Sequence, residues 1–339
     1  MSETEWRDGG ALRNYPRMTN STRLPKPTPG SAPSDQVPLA VAMMLGFCAL
    51  APLIDVAAKM ASHTVSIAQV TLARLVVQAV LMAPVVWTMR QGLRLSPAQW
   101  GWMGVRALTL IGSTAAFVGA VRVMPIADAL AIVFVEPFIL LALGALLFGD
   151  QVGPRRIIAS VIGFGGALLV IQPNFALFGN AALYPLVTAV FFALYMLVTR
   201  LVSRDSPPEV MQMLTAALGV LAMAPVIALG WAWGTPELQI SNPPGLVWVQ
   251  LLGVGLAATV SHLLITYALR FAPSATLAPL QYLEIVGAVF FGFVFFGDWP
   301  NTLSWTGISI IAASGLYVIA RERAVARTAR TGARAAPRP

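Results

Sequence analysis

Residues 120–150 read AVRVMPIADALAIVFVEPFILLALGALLFGD, and residues 268–298 read ALRFAPSATLAPLQYLEIVGAVFFGFVFFGD. Set side by side without a gap, the two stretches agree at Ala120/Ala268, Arg122/Arg270, Pro125/Pro273, Ala127/Ala275, Glu136/Glu284, Gly144/Gly292, Phe148/Phe296, Gly149/Gly297 and Asp150/Asp298. Shared apolar composition alone would rarely align Arg, Glu and Asp. Earlier in each half, Met82-Ala83-Pro84-Val85 matches Met223-Ala224-Pro225-Val226 at an offset seven residues shorter, as a change in loop length would produce. The chain is a duplicated unit.

Outward from this repeat, apolar stretches cover 38–60, 64–88, 100–122, 125–148, 154–172, 181–202, 209–233, 246–269, 274–297 and 303–320. Each is about 20 residues, the length that crosses roughly 30 Å of hydrocarbon as a helix. Composition agrees: 57% of residues are hydrophobic and 11% charged, against roughly 45–50% and about 25% in soluble domains. Pro, Gly and polar residues separate the stretches, and eight of nine tryptophans (Trp87, Trp100, Trp102, Trp231, Trp233, Trp248, Trp299 and Trp305) fall near their ends, where an amphipathic ring sits at headgroup level.

The expected fold is therefore an all-α membrane protein of ten transmembrane helices in two five-helix repeats, 38–172 and 181–320. Five spans per unit is odd, so the second copy enters the bilayer from the opposite side and the repeats are inverted. With the N-terminus inside, 18 of the 22 Lys and Arg residues fall in the two tails or in inner loops, and only Lys59 and Arg122 fall outside. That bias puts both termini in the cytoplasm of an inner-membrane protein. The +8 net charge follows from the same placement, with no globular domain to carry nucleic-acid binding. Residues 1–36 are expected to be a disordered tail, with Met18 as an alternative start, and 321–339 a basic tail able to touch anionic lipid.

Arg122/Arg270, the mid-helix glutamates and the closing Phe-Gly-Asp resemble the EamA-type module of the drug/metabolite transporter superfamily. The resemblance covers nearly everything but the tails. It implies a ten-helix transporter with a central cavity lined by segments one to four and six to nine, segments five and ten being peripheral. It is specific for the superfamily and poor for the substrate, whose known classes include amino acids, vitamins and S-adenosylmethionine-like compounds. One departure stands out: Glu136 is followed by Pro137, but Glu284 by Ile285.

A carboxylate at mid-membrane costs about 2.5–3.5 kcal/mol on insertion scales, so Glu136 and Glu284 are candidates for substrate contact or proton coupling. Arg74 lies too deep to snorkel and could neutralise a carboxylate or hold an anionic group. Arg106, nearer its helix end, could snorkel instead. Asp55 and Lys59 share a face four residues apart, either as an ion pair or as lining of the cavity mouth. His262 could relay protons or hydrogen-bond between helices. Gln78, Tyr195, Gln281 and Tyr282 could line the cavity or hold helices together. Gly163, Gly165, Gly166 and Ala167, with Ser314 and Gly315, would allow close helix packing or a homodimer. Cys48 is the only cysteine, and no metal cluster, phosphate loop or nucleophile motif appears, so neither metal nor cofactor is implied. The expected function is secondary transport of a small polar or zwitterionic metabolite by alternating access, with the bilayer and that metabolite as partners. A membrane-embedded enzyme on a lipid-linked substrate would need Asp, His or Lys clustered in its loops, and these loops are short and poor in them. A non-transporting membrane partner would need an extended soluble domain.

Overall fold

The computed structural model describes residues 36–89, 95–124, 126–150, 152–172, 179–203, 206–297 and 301–335. The N-terminal tail, Arg90, Arg94, Arg204, Asp298 and Trp299 lie outside the described residues. Those described form twelve α-helices with short 3-10 turns, and no strand. They are α1 (Val37–Ser62), α2 (Ile67–Thr88), α3 (Pro97–Val123), α4 (Ile126–Val133), α5 (Glu136–Phe148), α6 (Pro154–Ile171), α7 (Leu183–Val202), α8 (Pro208–Trp233), α9 (Gly245–Phe271), α10 (Ser274–Leu277), α11 (Glu284–Phe296) and α12 (Thr302–Ala335).

Nine stretches among the described residues are long and apolar enough to cross a membrane. The chain is an all-helical, multi-pass membrane protein. The remaining expected segment is α6, short at 18 residues and carrying Arg155 and Arg156 in its first turn. The helix of the last segment does not stop at 320 but runs on through the basic stretch to Ala335.

Local sequence sets the helix ends. Ser66 caps α2 by accepting from the Gln69 amide, and Ser96 with Gln99 forms a reciprocal capping box on α3. Gly149, Gly234 and Gly297 end α5, α8 and α11 in the left-handed conformation that glycine tolerates. Arg122 donates to the carbonyls of Ser62 (3.0 Å) and Val65 (2.9 Å), satisfying oxygens at the end of α1.

Two expected continuous helices are broken, and both breaks fall at the paired glutamates. Pro137 has no amide hydrogen, so the ladder from α4 cannot pass through it; α5 restarts at Glu136 with the proline in its first turn, where it is tolerated. In the other half α10 gives way to a 3-10 turn, Ala278–Leu283, before α11 restarts at Glu284. Pro279 there plays the part that Ile285 does not.

Between the halves, α1 packs on α9, α3 on α7, α2 on α8 and α6 on α12. Small residues permit the closest approaches. A Cβ on Gly307 would stand 2.5 Å from the Gly166 carbonyl, and one on Gly255 2.3 Å from Val77. Gly163 sits under the Tyr282 ring, Gly315 against Leu283, and Ser314 donates to the Ala159 carbonyl at 3.0 Å. Gly163 and Gly166 of the glycine-rich stripe of α6 are thus used inside the chain.

Candidate substrate cavity

A partly open cavity of about 100 Å³ lies among α1, α2, α3, α4, α7 and α9 and the two breaks. Of the residues singled out in the sequence, Asp55, Arg74, Glu136, His262, Gln281 and Glu284 all line it. They come from five different segments of both halves. Each glutamate sits at the start of a half-helix, where unpaired amides and the helix dipole favour negative charge.

Arg74 is buried and donates to Thr114 Oγ1 at 2.5 Å and to His262 Nε2 at 2.7 Å. A guanidinium only donates, so Nε2 is an acceptor and His262 is a neutral imidazole carrying its proton on Nδ1. That proton points to Tyr195 Oη, 3.1 Å away. The same phenol oxygen accepts from Arg106 Nη2 at 2.7 Å. The chain of bonds ends at Arg106, which donates also to Thr199 (2.8 Å), the Met211 carbonyl (3.1 Å), Thr215 and Thr266 (3.2 Å). Its guanidinium carbon lies 4.6 Å from the Tyr195 ring centroid. Arg106 therefore does not snorkel. It is fully buried, because oxygens on α7, α8 and α9 satisfy it.

Opposite, Gln281 Nε2 donates to Glu136 Oε2 at 2.5 Å. Three buried polar atoms of the lining residues have no hydrogen-bond partner: Arg74 Nε, Glu136 Oε1 and Gln281 Oε1. A donor and two acceptors without partners are costly in a dry interior and are the groups a polar ligand or water would satisfy.

Four candidates lie off the cavity. Tyr195 stands behind His262. Gln78 is bonded one layer further out, to Gln212 Oε1 at 2.7 Å. Tyr282 turns away from the cavity, donating to the Phe134 carbonyl at 3.1 Å among Phe134, Phe138 and Phe164. Lys59 is in the last turn of α1, and only Asp55 of that pair reaches the lining. Segment seven, α8, supplies no lining residue either, since it packs behind α2 through Gln212. Sequence reasoning missed Ser113, Thr114 and Thr188 and the rings Phe47, Phe117, Phe134 and Phe192 of the lining. Hydroxyls and rings in an apolar helix carry no local signal of which way they face.

The described residues hold no cluster of His, Cys, Asp and Glu suited to a metal ion. At the C-terminal ends of α5 and α7, Arg200 holds Asp150 with both terminal nitrogens and also reaches Ser274 at 3.2 Å.

Comparisons with known proteins bear on the family and the fold. The EamA-like transporter family matches residues 38–172 and 179–321. A riboflavin transporter of Rhizobium johnstonii is 30% identical over 69% of this chain and 75% of its own length. One of Brucella anthropi is 25% identical over 84% of this chain and its whole length. An S-adenosylmethionine uptake transporter of Rickettsia bellii is 23% identical over 65% of this chain and 72% of its own length. A solved crystal structure shares the fold with a TM-score of 0.64 at 19% identity, covering 85% of this chain and 98% of the other.

Proposed function

The chain belongs to the EamA-like transporter family, and we propose that it is a secondary transporter moving a small polar or zwitterionic metabolite through this cavity by alternating access. One observation carries the reading: Asp55, Arg74, Glu136, His262, Gln281 and Glu284 converge on a single cavity from both halves of the chain. Charged groups are expensive inside a bilayer and occur there where a substrate or ion passes. Among the relatives, the names riboflavin transporter and S-adenosylmethionine uptake transporter favour a vitamin-like cargo over an amino acid.

In this reading α6, about 27 Å long at 1.5 Å per residue, is the tenth span. The two halves form an inverted repeat with both termini on the cytoplasmic side of the inner membrane. The pairing of α1 with α9 and of α7 with α3 supports that symmetry, because the repeat exchanges one pair for the other. The cavity is smaller than the roughly 300–1,000 Å³ of ligand sites, which fits a closed conformation that must open to load. The ion pair between Arg200 and Asp150 would then be one of the contacts that breaks on opening toward the inside. Glu136, a lining residue with one buried oxygen that has no hydrogen-bond partner, is the candidate for proton coupling.

The test is a thermal-shift screen of the detergent-solubilised protein against amino acids, vitamins, nucleosides and related metabolites, followed by flux into proteoliposomes. A ligand at a hundredfold excess over its Kd stabilises the folded state by about 2.7 kcal/mol. A hit weakened by Arg74→Ala and Glu136→Ala, and then moved across the membrane, supports the proposal. Ligands indifferent to both substitutions, or no flux of any bound compound, would overturn it.

A further inference from the structure

Among its apolar residues the cavity wall carries four rings, Phe47, Phe117, Phe134 and Phe192, and two of them are ordered. Phe47 on α1 and Phe192 on α7 are near parallel, at 17°, with centroids 6.3 Å apart. Tyr195 stacks behind Phe192 at 16° and 5.8 Å, and Arg106 and His262 fix that tyrosine by its hydroxyl. The His262 ring stands nearly perpendicular to both phenylalanines, at 80° and 72° and 6.1 and 5.8 Å. Phe192 is thus backed by a pinned ring, Phe47 lies near parallel to it from the other half, and His262 stands edge-on to both.

The internal repeat sharpens the point. At the 141-residue offset that relates Met82-Ala83-Pro84-Val85 to its copy, Phe47 corresponds to Thr188 and Ala51 to Phe192. All four positions line the cavity. At these four positions each half therefore contributes one ring and one small residue, in opposite order. A symmetric core would have no need of that exchange, whereas a slot with two aromatic walls and open corners does.

We propose that Phe47 and Phe192 form a stacking slot that selects a planar nitrogen heteroaromatic as the cargo of this transporter. The proposal rests on the transport reading above and narrows its substrate class. A flat ring at van der Waals contact lies about 3.5 Å from each wall, so the two rings need to part to about 7 Å. Stacking of this kind tolerates many ring systems, because every flat ring offers a π face. The edge of the ligand supplies selectivity. The unpartnered oxygens of Glu136 and Gln281 call for ring or substituent N–H donors, and Arg74 Nε calls for a ring nitrogen or carbonyl acceptor.

Riboflavin and lumichrome, the latter a flat ring system without the sugar-alcohol chain, serve as probes whose fluorescence reports stacking. Titrated into wild-type protein in detergent, both are expected to bind with quenched fluorescence. Phe192→Leu and Phe47→Leu, which keep an apolar side chain but remove the ring, should weaken both at least tenfold. Phe192→Trp should retain binding, which separates loss of stacking from loss of fold. Riboflavin bound equally by wild type and both leucine variants, with unquenched fluorescence, would overturn the slot and leave the transport reading standing. Proteoliposomes that carry only non-planar metabolites would do the same. A wild-type protein that moves none of the screened metabolites would remove the transport reading and the slot together.

Discussion

Arg200 and Asp150 form a bidentate ion pair, Nη1 to Oδ2 at 2.5 Å and Nη2 to Oδ1 at 2.7 Å, with both side chains more than nine-tenths buried. Asp150 follows the left-handed Gly149 that ends α5, and Arg200 lies in the last turn of α7. The Phe148 ring stacks under the same guanidinium, its centroid 4.6 Å from the carbon. Phe-Gly-Asp at the end of the first repeat is thus a turn that presents a carboxylate to the other half. Removing one partner leaves a buried charge unpaired, which costs roughly 3–5 kcal/mol. Asp150→Ala should therefore lower the thermal midpoint clearly. The double exchange Asp150→Arg with Arg200→Asp should recover part of the loss, and a double variant no better than the worse single would show that the pair is not coupled.

Arg106 should be intolerant even of lysine. Its bonds diverge to Thr199, Met211, Thr215, Tyr195 and Thr266, a set that three ammonium protons cannot reproduce. Both Arg106→Lys and Arg106→Ala are expected to lose several kcal/mol of stability, of the order seen when buried charged networks are broken. Size-exclusion profiles and melting in detergent would check this, and a stable Arg106→Lys would mean that the network is slack.

Close packing of α6 on α12 gives a paired prediction. Gly307→Ala would drive a methyl against the Gly166 carbonyl and the Val170 amide, whereas Gly165→Ala meets nothing within 4 Å. Overpacking of this kind costs about 1–3 kcal/mol. The first change should lower the melting temperature and the second should not. Equal effects would place the two helices further apart than described here.

The sequence made the apolar segments, the duplicated motif and the three cavity carboxylates, Asp55, Glu136 and Glu284, legible because each is a one-dimensional signal. Length, hydropathy and spacing need no knowledge of neighbours. Direction is different. Successive residues of a 3-10 turn point about 120° apart, so Gln281 reaches Glu136 while Tyr282 turns onto Gly163. Depth misled for Arg106, six residues inside its segment, because the oxygens that hold it come from three other helices. Pro137 marked one helix break, but the matching break at Glu284 depends on Pro279, five residues earlier, and on no feature shared with the first half. The parallel rings of Phe47 and Phe192 were invisible, since nothing in an apolar helix tells a core ring from a lining one.

Proton coupling is the sharpest question that the site poses. Glu136 starts α5, shares one oxygen with Gln281 and leaves the other without a partner beside the cavity. If its proton is exchanged during each cycle, transport must vary with the pH gradient. Glu136→Gln keeps the shape and the hydrogen-bonding capacity but has no proton to exchange. In proteoliposomes, wild type should respond to an imposed pH gradient, and Glu136→Gln should bind the same cargo while losing most of that response. Glu284→Gln supplies the comparison, because Glu284 also lines the cavity at the start of a half-helix. A response lost only in Glu136→Gln would assign the coupling to the first half. An unchanged response there, with loss in Glu284→Gln, would move it to the second. An unchanged response in both would mean that these carboxylates bind the cargo or hold the helices, and that its gradient alone drives the cycle.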